Sequence, residues 1–99
     1  MLNITKNADG ASLVVGLEGR LDTSTAPELE ESLKDALDGV SELTLDLNGL
    51  EYISSAGLRV LLSTQKIMNK QGSMVIDNAS EEVKEIFDVT GFSDILTIR

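Results

Sequence analysis

Two adjacent serines, Ser54 and Ser55, are the residues of this sequence whose type and position could support chemistry. They lie where an alternating strand pattern gives way to a helical one, so they occupy the predicted start of a helix. A serine there accepts a hydrogen bond from an unpaired backbone N–H, and either serine could do this. One cap is enough, so the second hydroxyl is left among small residues, Ala56 and Gly57. The pair therefore indicates either two capping serines beside a packing glycine, or a hydroxyl that another protein can approach.

The composition removes most catalytic chemistry from consideration. The 99 residues include no cysteine and no histidine, so the chain lacks thiols, the usual zinc ligands and the usual general base. The G-x-S-x-G nucleophile elbow is absent, and the bare S-x-x-K match from Ser63 to Lys66 lacks its partner motifs, so we interpret it as chance. We expect a protein that is not an enzyme and that holds no metal or cofactor.

The chain is acidic, but its charge is unevenly distributed. It has 8 basic and 17 acidic residues and a net charge of −9, which argues against binding to nucleic acid or to an anionic membrane surface. No apolar run is long enough to span a membrane and no signal peptide is recognisable, so we expect a cytoplasmic protein. From Tyr52 to Ile76 there is no acidic residue, whereas Arg59, Lys66 and Lys70 are positive. A partner that docks near Ser55 would meet this positive surface.

The elements that must position the serines begin with a predicted β-hairpin. Apolar residues alternate at Leu2 and Ile4 and again over Leu13–Leu17, with turn residues at 7–10 between the two runs. The segment Gly19–Asp22 ends this hairpin.

A first helix is predicted directly after the hairpin. Thr25 and Glu28 match a capping box, and Pro27 is tolerated in the first turn. Gly39 then ends an amphipathic pattern whose outer face is strongly acidic.

The remaining elements alternate between strands and helices. In chain order they are a strand over Leu43–Leu47 broken at Asn48-Gly49, a helix from the serines to Lys70, a strand over Met74–Ile76, a helix capped by Asn78 or Ser80 and ended by Gly91, and a final strand over Ile95–Ile98. This order predicts a single α/β domain. Its mixed sheet would begin with the hairpin, continue with parallel strands joined by right-handed crossovers, and pack against about three to four α-helices.

Three pieces of the sequence, taken together and in order, resemble the STAS domain of bacterial anti-sigma factor antagonists. They are Gly19-Arg20-Leu21-Asp22 with its following helix, the Leu43–Leu47 strand, and Ile53-Ser54-Ser55-Ala56-Gly57-Leu58. The resemblance extends over essentially the whole chain and implies one STAS domain over residues 1–99.

The resemblance implies a partner-switching function. In this family a small cytoplasmic protein binds an anti-sigma factor that is also a GHKL-type serine kinase, and it thereby releases the sigma factor. The kinase switches the protein off by phosphorylating one serine, and a phosphatase reactivates it. By position that serine is similar to Ser55, and the family's aspartate after the first hairpin is similar to Asp22. The partner-binding residues that the resemblance implies are Asp22, Ser54, Ser55, Ala56, Gly57 and Arg59.

The residue before the implied phosphoserine departs from the family pattern. Many phosphorylated relatives carry aspartate there, whereas this chain has Ser54. Ser54 is therefore an alternative phosphate acceptor. At Gly57 we expect close approach of the partner, so that a valine would weaken partner binding more than it lowers stability.

Two functions outside partner switching also fit a STAS domain. The chain could be a ligand- or nucleotide-sensing module that is not phosphorylated, or a STAS subunit of a transport complex. It has no P-loop, and its one candidate phosphate cradle is the helix start at residues 54–57.

Overall fold

A four-stranded mixed sheet forms the centre of the computed structural model, which describes residues 2–99. The strands are β1 (Leu2–Asp9), β2 (Ser12–Leu21), β3 (Glu42–Ile53) and β4 (Ser73–Asp77), and they lie in the order β1-β2-β3-β4. β1 and β2 pair antiparallel, whereas β2 with β3 and β3 with β4 pair parallel. The predicted α/β class and mixed sheet are confirmed.

Helices connect the parallel strands. Helix α1 (Ala26–Ala36) joins β2 to β3, α2 (Ser55–Gln71) joins β3 to β4, and α3 (Glu81–Thr90) follows β4. A short 3₁₀ turn over Phe92–Asp94 comes after α3. No helix within residues 2–99 has the length and apolar character needed to cross a membrane.

The core lies between one face of the sheet and the helices. Alternate residues of β2, of β4 and of the first half of β3 are buried on this face, and β1 contributes Leu2. The helices contribute Leu29, Leu33, Leu61, Met68, Val83 and Phe87 to the same core. The opposite face of the sheet is open, and Val14 on β2 is 41% exposed there. Burial of alternate positions explains why the period of two in the sequence identified these strands.

Strand β3 is longer than predicted, and the break expected at Asn48-Gly49 is wrong. The pairing of β2 with β3 runs from Gly16↔Asp46 to Glu18↔Gly49, which leaves one extra residue on β3. The Asp46 carboxylate stabilises this bulge by accepting a hydrogen bond from the Asn48 backbone N–H at 3.0 Å. The polar pair therefore marks a bulge within the strand, and β3 continues to Ile53.

A second register shift follows within β3. Gly19 pairs with Leu50 but Arg20 pairs with Tyr52, so Glu51 is the additional residue. The two shifts change the inward spacing from two residues to three, and Leu50 and Ile53 are both buried. As a result, β3 ends with Ile53 beside Leu21 of β2.

The C-terminal region differs from the prediction in its last strand. Ser80 caps α3 by accepting from the Val83 N–H at 3.2 Å, and Gly91 ends the helix with a φ of 81°. The expected strand over Ile95–Ile98 is reduced to one parallel bridge, Ile76↔Ile98, because the 3₁₀ turn occupies the preceding residues.

Candidate functional site

The candidate site is at the carboxyl ends of β2 and β3, which are neighbouring parallel strands. Leu21 and Ile53 are the last paired residues of the two strands. The Ser54 backbone N–H donates a hydrogen bond to the Leu21 carbonyl at 2.8 Å. This bond joins the end of β2 to the start of α2, so Asp22 and the two serines lie at one edge of the sheet. In α/β folds, functional groups commonly gather at this edge.

The structure separates the two serines by what their hydroxyls do. Ser54 is the N-cap of α2, and its Oγ accepts a hydrogen bond from the Gly57 N–H at 3.3 Å. Ser55 is the first residue of the helix and is exposed. Its hydroxyl has no hydrogen-bond partner within residues 2–99. The Ser55 hydroxyl is therefore the free one.

Small residues follow the serines, but Gly57 does not open the surface. A Cβ at position 57 would lie 2.7 Å from Leu21 Cγ and 2.9 Å from Ile53 Cγ1, which is closer than side chains pack. Gly57 is buried, whereas Ala56 is half-buried. The expectation that a valine at position 57 would project into a docking surface is wrong, because that side chain would enter the core.

Asp22 is held in a fixed position beside the serines. Its Oδ1 accepts hydrogen bonds from the Ser24 hydroxyl at 2.8 Å, the Ser24 N–H at 3.0 Å and the Thr25 N–H at 3.1 Å. These donors, the Ser24 hydroxyl above all and next the Thr25 N–H, hold the pKa of the Asp22 carboxyl below its usual range. The carboxylate is therefore ionised at neutral pH and presents a fixed negative charge.

The predicted capping box at Thr25 and Glu28 does not form. The Thr25 hydroxyl accepts from the Asp22 N–H at 2.8 Å and donates to the Arg20 carbonyl at 2.8 Å, so it is not free to cap α1. Thr25 is buried, and it ties the loop after β2 together. Pro27 lies in the first turn of α1, as predicted.

Positive side chains surround the serines on two sides. Arg59 is exposed one helical turn after Ser55, and Lys66 and Lys70 are exposed further along α2. On the other side, the Arg20 guanidinium carbon lies 4.4 Å from the centroid of the Tyr52 ring. The sequence reasoning missed this pair, because Arg20 faces Tyr52 only after both register shifts in β3.

An apolar groove lies elsewhere, between α1 and α2. It has a volume of about 310 Å³, and its apolar residues include Leu33, Leu37, Val60 and Ile67. Neither Asp22 nor either serine lines it. The candidate site is instead a surface with one free hydroxyl, one ionised carboxylate and nearby arginines, which suits docking of another protein.

The comparisons with known proteins agree on one family. The model of the STAS domain matches residues 3–99. The anti-sigma-B factor antagonist of Bacillus subtilis is 33% identical over 98 residues, which are 98% of this chain and 90% of that relative.

Solved structures show the same fold. An anti-sigma factor antagonist from Mycobacterium paratuberculosis is similar with a TM-score of 0.90 and 22% identity, covering 99% of this chain and 85% of that one. The Bacillus cell fate determinant SpoIIAA in its phosphorylated form is similar with a TM-score of 0.74 and 16% identity, covering 100% of this chain and 91% of that one.

Proposed function

The chain belongs to the STAS domain family, and from this premise we propose that it is a cytoplasmic anti-sigma factor antagonist controlled by phosphorylation of Ser55. Its unmodified form binds an anti-sigma factor that is also a GHKL-type serine kinase and releases the sigma factor. Phosphorylation ends this binding, and a phosphatase restores it. The observation that carries the proposal is the exposed Ser55 hydroxyl, which is free while Ser54 caps the helix.

The free hydroxyl favours Ser55 over Ser54 as the acceptor. Transfer to Ser54 would place the phosphate on an oxygen that already accepts from the Gly57 N–H, in a residue that is half-buried. Ser55 can rotate its hydroxyl towards a kinase without breaking a hydrogen bond of the domain. Ser54 remains the alternative, and the labelling experiment below distinguishes them.

The transfer itself needs catalytic groups that the partner supplies. The Ser55 oxygen forms a bond to the γ-phosphorus of ATP held by the kinase, and the bond from that phosphorus to the β–γ bridging oxygen breaks. ADP leaves, and the hydroxyl proton passes to a base of the kinase. This chain has no histidine to act as that base, which agrees with its role as substrate.

Asp22 fits a presenting role in this proposal. Its backbone carbonyl accepts hydrogen bonds from the N–H groups of Thr25 and Ala26, so the loop is rigid next to the serines. A rigid loop keeps the docking surface in one conformation and limits the entropy lost on binding. Together with Ser54, Ser55, Ala56 and Arg59, Asp22 forms the proposed contact surface. Gly57 lies beneath that surface and shapes it from inside.

The test is phosphorylation in a purified system. Each GHKL-type anti-sigma factor kinase of the source genome is incubated with the protein and ATP, and the phosphate is localised by mass spectrometry. We expect phosphate on Ser55 in the wild type and in Ser54→Ala, and none in Ser55→Ala. Equal labelling of Ser55→Ala by a kinase that labels the wild type would assign the acceptor to Ser54 or elsewhere.

A displacement assay tests the antagonist function itself. Unmodified protein added to a preformed complex of kinase and sigma factor should release the sigma factor, whereas phosphorylated protein should not. Calorimetric titration of the protein alone with ATP and GTP tests the nucleotide-sensing alternative. Tight nucleotide binding without any kinase interaction would replace the proposal.

A further inference from the structure

Arg20 and Tyr52 form a stacked pair on the surface next to the serines. The guanidinium carbon lies 4.4 Å from the ring centroid, which is within the range of a cation–π interaction. Both side chains are exposed, Tyr52 to 37%. They lie on the open face of the sheet, because their neighbours Leu21 and Ile53 point into the core.

The pair is rigidly connected to the serine site. Arg20 and Tyr52 are opposite each other in the β2–β3 pairing, and the next pair, Leu21↔Ile53, ends both strands. The Arg20 carbonyl also accepts a hydrogen bond from the buried Thr25 hydroxyl at 2.8 Å. The stacked pair is therefore fixed to the loop of Asp22 on one strand and to Ser54 on the other.

Arg20 has no acidic partner in the described part of the chain. The one salt bridge there joins Arg99 to Asp77, and the Arg20 side chain makes no hydrogen bond. The guanidinium stacks on the ring, so its N–H groups remain free to bind a carboxylate from another molecule.

We propose that the Arg20–Tyr52 pair is an anchor that binds an acidic patch on the anti-sigma factor and so contributes to partner selection. This inference rests on the proposed function and adds the open sheet face to its docking surface. Arginine and tyrosine are frequent among the residues that dominate interface energies. On binding, the ring and the guanidinium lose water together, which strengthens their interaction and the contact to a carboxylate.

The charge pattern identifies the chemistry of the partner. Arg20 on the sheet and Arg59 on α2 lie on either side of the serines, and both are exposed. Carboxylates of a partner would pair with both arginines, whereas the fixed negative charge of Asp22 would favour a cation at its own position. The proposed partner patch is therefore acidic where it faces the Arg20–Tyr52 pair.

The experiment measures affinity for the purified kinases of the source genome at several salt concentrations, using unphosphorylated protein. The variants are Arg20→Gln, Arg20→Lys, Tyr52→Leu and Tyr52→Phe, with Lys34→Gln as a control that removes one positive charge in the last turn of α1. Thermal melting of each variant is recorded beside the affinity. Melting shows whether a loss of affinity reflects loss of fold.

We expect Arg20→Gln to weaken binding by about tenfold or more and to reduce the dependence of affinity on salt. Arg20→Lys should fall between Arg20→Gln and the wild type, because lysine keeps the charge but loses the planar stack. Tyr52→Leu should weaken binding several-fold, whereas Tyr52→Phe keeps the ring and should bind like the wild type. The double variant Arg20→Gln, Tyr52→Leu should lose less binding free energy than the two single variants lose together.

Different outcomes overturn the inference and the proposed function. If the wild type binds a kinase and folded Arg20→Gln binds it equally well with the same salt dependence, the anchor is wrong and the antagonist function stands. An equal loss in Lys34→Gln would assign the effect to net charge and overturn the anchor too. If the wild type binds none of the kinases, the proposed function fails and the anchor fails with it.

Discussion

Ser54 and Ser55 are chemically identical, and one position along the chain gives them different roles. Ser54 lies outside the helix and points its oxygen at the Gly57 N–H, whereas Ser55 begins the helix and keeps its hydroxyl free. Sequence alone predicts one cap and one free hydroxyl but does not assign them, because the assignment depends on which residue has the extended backbone of an N-cap. In the structure that residue is Ser54, with ψ at 175°.

The cap assignment predicts unequal effects on stability. Ser54→Ala should lower the free energy of unfolding by about 1 kcal/mol, because the Gly57 N–H loses its partner. Ser55→Ala should change stability by only a few tenths of a kcal/mol, because its hydroxyl makes no bond and alanine favours helix. Urea unfolding followed by circular dichroism measures both. Ser80→Ala at the cap of α3 is the matched control and should resemble Ser54→Ala.

At position 57 we expect any added side chain to lower the stability of the domain. Alanine would place its Cβ 2.7 Å from Leu21 Cγ, and overpacking of this kind costs about 1–3 kcal/mol. Removing the obstructing atoms should relieve the clash, so the double variant Gly57→Ala, Leu21→Ala should be more stable than the two separate losses predict. Urea unfolding of the four proteins checks this. Strictly additive losses would show that Leu21 is not the obstacle.

We expect Asp22 to stabilise the fold by an amount that depends on pH. Its pKa is lowered in the folded state, so the unfolded chain binds more protons between the lowered and the ordinary value. The stabilisation is complete above the ordinary pKa and is lost as the pH falls through the folded one. The difference in unfolding free energy between wild type and Asp22→Asn should therefore shrink on acidification from pH 6 to about pH 2. Ser24→Ala removes the hydroxyl that donates to the Asp22 carboxylate and should therefore show part of the same pH dependence.

At the scale of elements, the strands and helices were predictable wherever one periodic pattern persisted. The alternation in Leu43–Leu47 identified β3, but the inward spacing then changes to three at Leu50 and Ile53. A spacing of three does not indicate a strand. The two bulges place Leu50 and Ile53 on the buried face despite this spacing. They depend on the pairing of β3 with β2, which is a long-range property. For the same reason the Arg20–Tyr52 pair could not be predicted from the sequence.

Within helix α2 we expect a contact that forms only after phosphorylation. Ser55 and Arg59 are four residues apart and both exposed, so a phosphate on Ser55 can pair with the guanidinium along the helix. The helix N-terminus also favours the anion, by about 0.3–2 kcal/mol. Phosphorylated protein should melt slightly higher than unmodified protein. Arg59→Gln should reduce this gain, whereas Lys66→Gln, further along the helix, should leave it unchanged.

At the scale of the whole molecule, an acidic protein presents a positive site. The net charge is −9, yet Arg20 and Arg59 flank Ser55, and α2 carries no acidic residue. Adding about −1.5 to −2 charges at Ser55 therefore cancels most or all of the charge of these two arginines without touching the core. Ser55 is exposed and its hydroxyl makes no hydrogen bond, so a phosphate there can remain in solvent, outside the buried face of the sheet. Under the proposed function, the domain would thus change its affinity for a partner while keeping its fold.

This arrangement predicts that phosphorylation blocks binding without unfolding the domain. In a complex the phosphate would be buried against a surface shaped for a neutral hydroxyl, and desolvation with repulsion from acidic groups of the partner raises its free energy. A penalty of about 3 kcal/mol corresponds to a loss of affinity on the order of a hundredfold.

Thermal melting and kinase affinity are to be compared for unmodified protein, phosphoprotein and Ser55→Asp. The three melting temperatures should lie close together, with that of the phosphoprotein slightly the highest, while the affinity of the phosphoprotein collapses. Ser55→Asp should show a smaller loss, because aspartate carries less charge and fewer acceptor oxygens than a phosphate. A phosphoprotein that binds as tightly as the unmodified form, or that melts far below it, would contradict this mechanism.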